Sequence, residues 1–216
     1  MSGAPQHRDG CAVMFVDMRG FPRASAQLGE DDVVRLLEGY FALVVDVATA
    51  HGGRPCNMTG DGVLAAFGLD RAPSGAPRRA PQVAGAAPGP APQALRAARE
   101  VLDAWKAMSA GWQSRHGVVT GLGIGIHMGP VIAGPIGPPS FRHDTVVGDT
   151  VNIAARLCQR ARSGEALFSE AVRRAPGIDG LGLEILELPP LQIRGRDVPL
   201  GMHCLPAAER LDLGAD

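Results

Sequence analysis

The chain has little of what marks secreted, membrane-spanning or zinc-binding proteins. Only four of its 216 residues are cysteine and six are histidine. No two cysteines form a Cys-x-x-Cys pair, so the spacing of a zinc site is missing. No apolar run is long enough to span a bilayer, and residues 1–10 have no apolar core of a secretory signal. These absences predict a cytoplasmic protein with reduced thiols and no membrane partner.

An excess of charge of either sign is also missing. Lysine and arginine together number 21, aspartate and glutamate 22, and the formal net charge is −1. No overall field therefore attracts a nucleic acid or an anionic membrane, and neither is expected as a partner. The apolar fraction of 45% and the length suit one globular domain. We assign residues 1–10 to an N-terminal tail, 11–205 to the domain and 206–216 to a C-terminal tail.

The hydrophobic pattern predicts strands and helices in a mixed order. Residues 11–16 indicate a buried strand, and residues 31–48 and 95–108 have helical periodicity. Strands are predicted at 118–128 and 131–132, separated by a Gly129-Pro130 turn. A strand at 141–147 leads into a helix that ends near Ala161, and a terminal strand pair follows at 183–188 and 199–204. This order predicts an α+β fold with helices packed on a mainly antiparallel sheet.

Residues 71–93 differ in composition from the rest of the chain. Of these 23 residues, seven are alanine, six proline and three glycine. Such a segment has few side chains that could fill a core, and we expect a mobile surface insertion. Its role is left open.

Two aspartates lie at the ends of strand patterns. Asp17 follows an apolar strand, and Asp61 lies at the tip of a predicted hairpin. Taken alone, Asp61 is an ordinary turn residue and Asp17 an ordinary helix cap. Together they could bind Mg²⁺, which takes one or two protein carboxylates and completes its shell with water and phosphates. Phosphoryl or nucleotidyl transfer is the first hypothesis.

A predicted helix carries a second polar pair. Asn152 and Arg156 are four residues apart and so lie on one helix face. An amide beside a guanidinium suits a phosphate that gains charge during a reaction, although an exposed helix with its arginine paired to an acid would show the same spacing. The repeat Gly121-x-Gly123-x-Gly125 lies in a strand pattern and is a weak nucleotide signal. We assign His127 no role.

Four segments, in order and spacing, resemble the catalytic domain of class III adenylate and guanylate cyclases. They are Phe-Val-Asp17-Met-Arg-Gly-Phe, Gly-Asp61-Gly, Gly125-Ile-His-Met-Gly-Pro-Val-Ile-Ala-Gly134 and Thr145-Val-Val-Gly-Asp-Thr-Val-Asn152-Ile-Ala-Ala-Arg156. The resemblance covers nearly the whole chain, from about Cys11 to about Cys204. It implies a ferredoxin-like α+β fold related to the polymerase palm.

The resemblance also implies roles for single residues. Asp17 and Asp61, with the backbone carbonyl of Met18, would hold two Mg²⁺ or Mn²⁺ ions. Asn152 would orient the ribose, and Arg156 would stabilise the α-phosphate. These residues would together cyclise a nucleoside triphosphate.

The remaining implied contacts are with the triphosphate and the base. The turn and helix start at Arg19, Gly20 and Phe21 would offer backbone amides to the triphosphate. Arg194, or less favourably Arg196, lies where the family has a lysine for the terminal phosphates.

Two positions would contact the base, and they leave the purine open. Asn57 replaces the lysine of adenylate cyclases and the glutamate of guanylate cyclases. Thr145 is a recurrent choice in bacterial adenylate cyclases. ATP is therefore favoured, with GTP as the alternative substrate.

In this family the metal aspartates and the Asn/Arg pair of one site come from opposite subunits. Because this chain carries both sets, we expect a head-to-tail homodimer with composite sites. A degenerate regulatory module without activity is the other alternative, whereas the hairpin lacks the glycine-rich motif of diguanylate cyclases. The short N-terminal tail leaves no room for a sensor domain, so we expect a regulatory protein partner or a stand-alone or excised unit.

Overall fold

The structure is a computed structural model that describes residues 4–69, 88–193 and 195–206. The strands are β1 (Gln6–Arg19), β2 (Gly53–Thr59), β3 (Gly62–Phe67), β4 (Gly121–Ile136), β5 (His143–Val147), β6 (Glu165–Ser169), β7 (Leu186–Leu191) and β8 (Leu200–Pro206). The helices are α1 (Phe21–Gln27), α2 (Glu30–Ala50), α3 (Pro90–His116), α4 (Asp149–Arg160) and α5 (Glu170–Arg173), with a 3₁₀ turn at Asp179–Leu181.

All eight strands join one sheet, in the order β2-β3-β1-β4-β6-β8-β7, with β5 paired to the end of β4. The β4–β6 pair is parallel and the other pairs are antiparallel. The predicted α+β fold with a mainly antiparallel sheet is thus confirmed. The two longest strands, β1 and β4, pair at the centre and position most of the candidate site.

One face of the sheet is covered by α2 and α3. Alternate residues of β1, including Met14 and Val16, point into this main core together with Ile124 and Ile126 of β4. Trp105 of α3 is buried there. The Tyr40 ring packs edge-on against it at 5.6 Å between centroids. This face holds most of the buried apolar side chains.

The other face of the sheet is covered by α4 and is built differently. Its strand residues include several glycines on β4, among them Gly125 and Gly129. A side chain at Gly125 would overlap the backbone of Ala154 and Cys158, and one at Gly129 would meet the hydroxyl of Thr150. Gly125 and Gly129 therefore let α4 lie directly on the sheet.

Two elements differ from the sequence predictions at the centre of the sheet. β1 begins at Gln6, so residues 6–10 are part of the strand rather than a tail. β4 is one continuous strand, and the turn predicted at Gly129-Pro130 is wrong. The pairing shifts between Arg8 and Cys11, opposite Pro130. A proline is tolerated there because a bulge already interrupts the hydrogen-bond ladder.

Two further differences concern the start of α3 and the strand β6. α3 begins at Pro90 and buries Pro90, Ala91 and Pro92, so the end of the predicted 71–93 insertion packs as the first helical turn. Proline suits this position because the first helical amides need no partner within the helix. The strand β6 was not predicted, although all five of its residues are buried. Residues 70–87 and 207–216 lie outside the described residues, as do the predictions made for them.

Candidate active site

Asp17 lies near the end of β1, on the face covered by α4. It is opposite Gly62 of β3 on one side and Gly123 of β4 on the other. Burial raises its pKa above the ordinary value, and the nearby Asp61 raises it further, while Arg19 opposes both effects. A carboxylate in such a place gains from a cation beside it.

Asp61 lies in the two-residue turn between β2 and β3, as predicted from the sequence. Gly62, the next residue, borders Asp17: a Cβ built on Gly62 would lie 3.8 Å from Asp17 Oδ1. The hairpin thus brings two carboxylates from separate parts of the chain together. Met18 follows Asp17 directly, one residue beyond the last β1–β3 pair.

The two carboxylates fit a magnesium or manganese ion that takes its other ligands from water and phosphates. Among the described residues, no group of three or more histidine, cysteine, aspartate or glutamate side chains could hold a metal. The described residues therefore do not supply the full set of protein ligands that a structural zinc or calcium site uses.

Arg19 contacts Asp17 from the other side. Its guanidinium forms an ion pair with Asp17 Oδ2 and donates hydrogen bonds to two backbone carbonyls at the end of α4. One of them is the Ala161 carbonyl, 3.0 Å from Arg19 Nε, and the other belongs to Cys158. The side chain of Arg19 thus faces into the protein.

Asp17 and Asn57 line one cavity. Its volume is about 220 Å³, and its walls come from β1, the β2–β3 hairpin and α4. Asn57 itself is exposed on β2. Thr145 lies on β5, which contacts β2, and it is partly buried opposite Gly134. Both predicted base-contacting residues are thus on adjoining strands, although Thr145 does not line this cavity.

Asn152 and Arg156 line a second, more polar cavity of about 440 Å³. Both are exposed on the outer side of α4. Gly148, with φ of 142°, precedes this helix as its N-cap. The sequence prediction that the two share a helix face agrees with this geometry, and neither has an ion pair among the contacts described here.

Arg196 closes the same cavity from the loop between β7 and β8. Its guanidinium forms an ion pair with Asp149 at the start of α4. Arg194 lies outside the described residues, so its contact with the terminal phosphates stays a prediction.

Gly20 and Phe21, predicted to contact the triphosphate, lie at the start of α1. Gly20, with φ of 78°, is the N-cap of this helix, and Phe21 packs its ring against the main core.

His127 lies on β4 between Gly125 and Gly129, on the α4 side of the sheet. Its Nδ1 is 2.6 Å from Ser169 Oγ. Burial lowers its pKa to about 4, and the charge of Arg196 contributes in the same direction. The ring is therefore neutral at pH 7.

The two cavities share one wall. Ala155 and Gln159 of α4 border both. Within one chain, however, Asp17 opens into the first cavity and Arg156 into the second. The described residues of a single protomer therefore do not bring all predicted catalytic groups into one cavity.

Comparison with known proteins decides the family. A profile of the adenylate and guanylate cyclase catalytic domain matches residues 4–203. The chain belongs to this family. An uncharacterised protein of Mycobacterium tuberculosis, Rv1318c, is 36% identical over 152 residues, which is 70% of this chain and 24% of that protein. The cyclase domain thus spans about a quarter of that relative's length.

Solved structures share the cyclase fold. The adenylyl cyclase CyaB of P. aeruginosa superposes with a TM-score of 0.79 at 23% identity, over 98% of this chain and 100% of that one. The guanylyl cyclase Cya2 gives 0.77 at 24% identity, over 95% of each chain. An adenylyl and a guanylyl cyclase are thus about equally similar, and the likeness establishes the palm-related fold but not the purine.

The sequence did not indicate the contacts of the Arg19 side chain. They join residues more than 130 positions apart, and no local pattern signals them. The glycines at 121, 123 and 125 make room for Ser163, Arg19 and α4 respectively. None of the helices in the described part of the chain combines the length and apolar composition needed to span a bilayer.

Proposed function

We propose that the chain is a nucleotidyl cyclase that converts ATP to 3′,5′-cyclic AMP and pyrophosphate. The observation that carries this proposal is the pairing of Asp17 with the Asp61 hairpin, on a domain that also presents Asn152 and Arg156 on α4. Retention of both carboxylates, beside a partly buried arginine, argues against a degenerate domain without activity.

Asp17 and Asp61 would hold two Mg²⁺ or Mn²⁺ ions, with the Met18 carbonyl as a further ligand. When bound, such ions lower the pKa of a ribose 3′-hydroxyl and offset charge on the phosphates. The raised pKa of Asp17 supports this assignment, because a buried carboxylate beside a second one is stabilised by a cation.

The α4 residues would act on the sugar and the phosphate. The Asn152 amide can accept and donate hydrogen bonds to the ribose, and the Arg156 guanidinium can oppose charge that develops on the α-phosphoryl group. Arg194 would steady the departing pyrophosphate, as the family resemblance implies. Arg196, the less favoured choice, lies at the mouth of the same cavity and would first have to leave Asp149.

The complete site would form only in a head-to-tail homodimer. The Asp17 cavity and the Arg156 cavity lie on two sides of α4, so a second copy is the simplest source of the missing half. Two equivalent composite sites would result. Each protomer would give its carboxylates to one site and its Asn/Arg pair to the other.

A guanylate cyclase is the second candidate. Asn57 is exposed at the edge of the Asp17 cavity, and its neutral amide can hydrogen-bond the edge of either purine. ATP remains favoured because Thr145 resembles the bacterial adenylate cyclase choice.

Product identification tests the proposal. The chain is incubated with ATP or GTP, each with Mg²⁺ and with Mn²⁺, and the cyclic nucleotide and pyrophosphate are quantified. If the parent produces cyclic AMP and neither Asp17→Asn nor Arg156→Ala does, the result supports the adenylate cyclase hypothesis. Cyclic GMP as the main product would select the second candidate, and no product under all four conditions would contradict cyclase activity.

A further inference from the structure

Arg19 connects the Asp17 carboxylate to the end of α4. Its side chain is 21% exposed, and its guanidinium reaches three acceptors: Asp17 Oδ2 and the carbonyls of Cys158 and Ala161. The planar guanidinium presents five N–H donors on three nitrogens in a fixed fork, so it can reach acceptors on separate sides, whereas an ammonium group has three donors on a single nitrogen.

The sheet beneath Arg19 is shaped to receive it. Gly123 of β4 lies under the guanidinium, and a Cβ there would lie 2.7 Å from Arg19 Nε. A side chain at this position would therefore push the arginine away from its acceptors. The last carbonyls of a helix lack partners within the helix, and a cation at that end is favourable.

The two oxygens of Asp17 face different neighbours. Oδ2 accepts the hydrogen bond from Arg19, whereas Oδ1 faces the hairpin of Asp61. Because the α4 carbonyls hold Arg19 independently of Asp17, the arginine fixes the orientation of the carboxylate. Oδ1 is thereby left on the side of Gly62, the residue that follows Asp61.

We infer that Arg19 is a positioning residue that orients Asp17 for a divalent cation and ties this carboxylate to the C-terminal end of α4. Its side chain thus serves the metal half-site rather than the triphosphate. α4 also carries Asn152 and Arg156. In the proposed dimer, each protomer gives its carboxylates to one active site and its Asn/Arg pair to the other, and Arg19 would connect these two groups within the protomer. This inference rests on the proposed function for its metal, but not for the contact with α4.

Binding of Mn²⁺ alone, followed by electron paramagnetic resonance of the free ion, tests the first half. Asp17→Asn should remove the site. Arg19→Ala should weaken it by about 10- to 100-fold, as is typical when a group that orients a metal ligand is lost. Arg19→Lys, which keeps the charge but not the fork, should bind Mn²⁺ with an affinity between those of the parent and Arg19→Ala. Arg23→Ala, an exposed arginine of α1, is the matched control and should bind as the parent does.

Amide hydrogen exchange of the metal-free protein tests the second half. Arg19→Ala should speed exchange at residues 158–164 and leave α2 unchanged, and Arg23→Ala should change neither. If Arg19→Ala does not fold, Arg19→Lys is measured in its place and should show the same two effects at smaller size.

Three results would overturn the inference or its basis. Mn²⁺ affinity equal to or tighter than the parent's in Arg19→Ala would show that the arginine competes with the metal rather than positioning its ligand. Unchanged exchange at the end of α4 would remove the link. If the parent does not bind Mn²⁺, or if Asp17→Asn binds it equally well, the metal site of the proposed function is contradicted. Amide hydrogen exchange alone then decides whether Arg19 holds the end of α4.

Discussion

The two faces of the sheet are packed differently, and adjacent residues of β4 show the difference most clearly. Ile126 is fully buried in the core under α2 and α3. Gly125, its neighbour in the chain, points to the other face, where α4 lies too close for any side chain. The first face carries the larger apolar core, whereas the α4 face has two smaller apolar clusters and, between them, glycines that let a helix and several polar groups approach the strands.

This difference indicates how stability and chemistry are divided. The α2–α3 face contributes most of the apolar burial, which is the main stabilising term in folding. The α4 face holds Asp17, Arg19 and His127 close to a backbone that fixes their positions. Substitutions on the first face should therefore change unfolding, and those on the second should change catalysis.

The largest effect is expected for Arg156→Ala. The side chain is exposed on α4, so the melting temperature should stay near the parent value. Loss of a group that stabilises charge in the transition state should lower kcat by about 100- to 1000-fold. Steady-state kinetics and calorimetry measure the two quantities. A large drop in melting temperature would contradict the assignment of Arg156 to catalysis.

The pair Gly125→Ala and Ile126→Ala tests the two faces directly. The methyl group at position 125 would displace α4, and a shift of about 1 Å can lower kcat about 100-fold. Ile126→Ala should lower the free energy of unfolding by about 2–5 kcal/mol, with a smaller loss of kcat. Urea unfolding and kinetics on both variants give the comparison. If Gly125→Ala keeps the kcat of the parent, the proposed dependence of catalysis on the close packing of α4 against Gly125 would be contradicted.

His127 should make stability depend on pH. Its folded-state pKa of about 4 is below the ordinary 6.5, so the unfolded chain binds the proton more readily. The stabilisation is present above pH 6.5 and is lost as pH falls toward 4, with a slope of up to about 1.4 kcal/mol per pH unit. Urea unfolding at several pH values should show a shallower slope in His127→Gln. An identical slope would place the effect elsewhere.

The smallest effect is expected for the base. Asn57→Lys should raise kcat/KM for ATP over GTP by about tenfold, which corresponds to roughly one added hydrogen bond. Met58→Lys is the matched control, because Met58 is exposed on the same strand but does not line the cavity. Equal shifts in both variants would indicate a general charge effect rather than a contact with the purine.

Much of the fold could be predicted because periodicity is local. The apolar spacing of α2 and α3 and the Asp61 hairpin were all correct in kind. The continuous β4 was missed because Gly129-Pro130 has the composition of a turn. Only the bulge in β1, more than a hundred residues earlier, explains why the strand continues. The strand β6 is five residues long, too short for periodicity to separate it from a loop.

The sequence singled out candidate residues but not their geometry. Asp17, Asp61, Asn152 and Arg156 were chosen because four segments resemble the cyclase family in order and spacing, and their roles stay predictions. The inward direction of Arg19 could not, because it depends on carbonyls of α4 and on the absence of a side chain at Gly123. The division of the site between two cavities is likewise a property of the folded chain.

Complementation between two inactive variants tests the composite site most directly. Asp17→Ala and Arg156→Ala are each expected to retain at most about 1% of the parent activity. Mixed in equal amounts under conditions that exchange subunits, they should form heterodimers with one intact site, and activity should return to about one quarter of the parent value. Native mass spectrometry confirms that heterodimers form. Heterodimers that remain inactive would contradict the account, whereas restored activity would show that the two cavities of different chains form one active site.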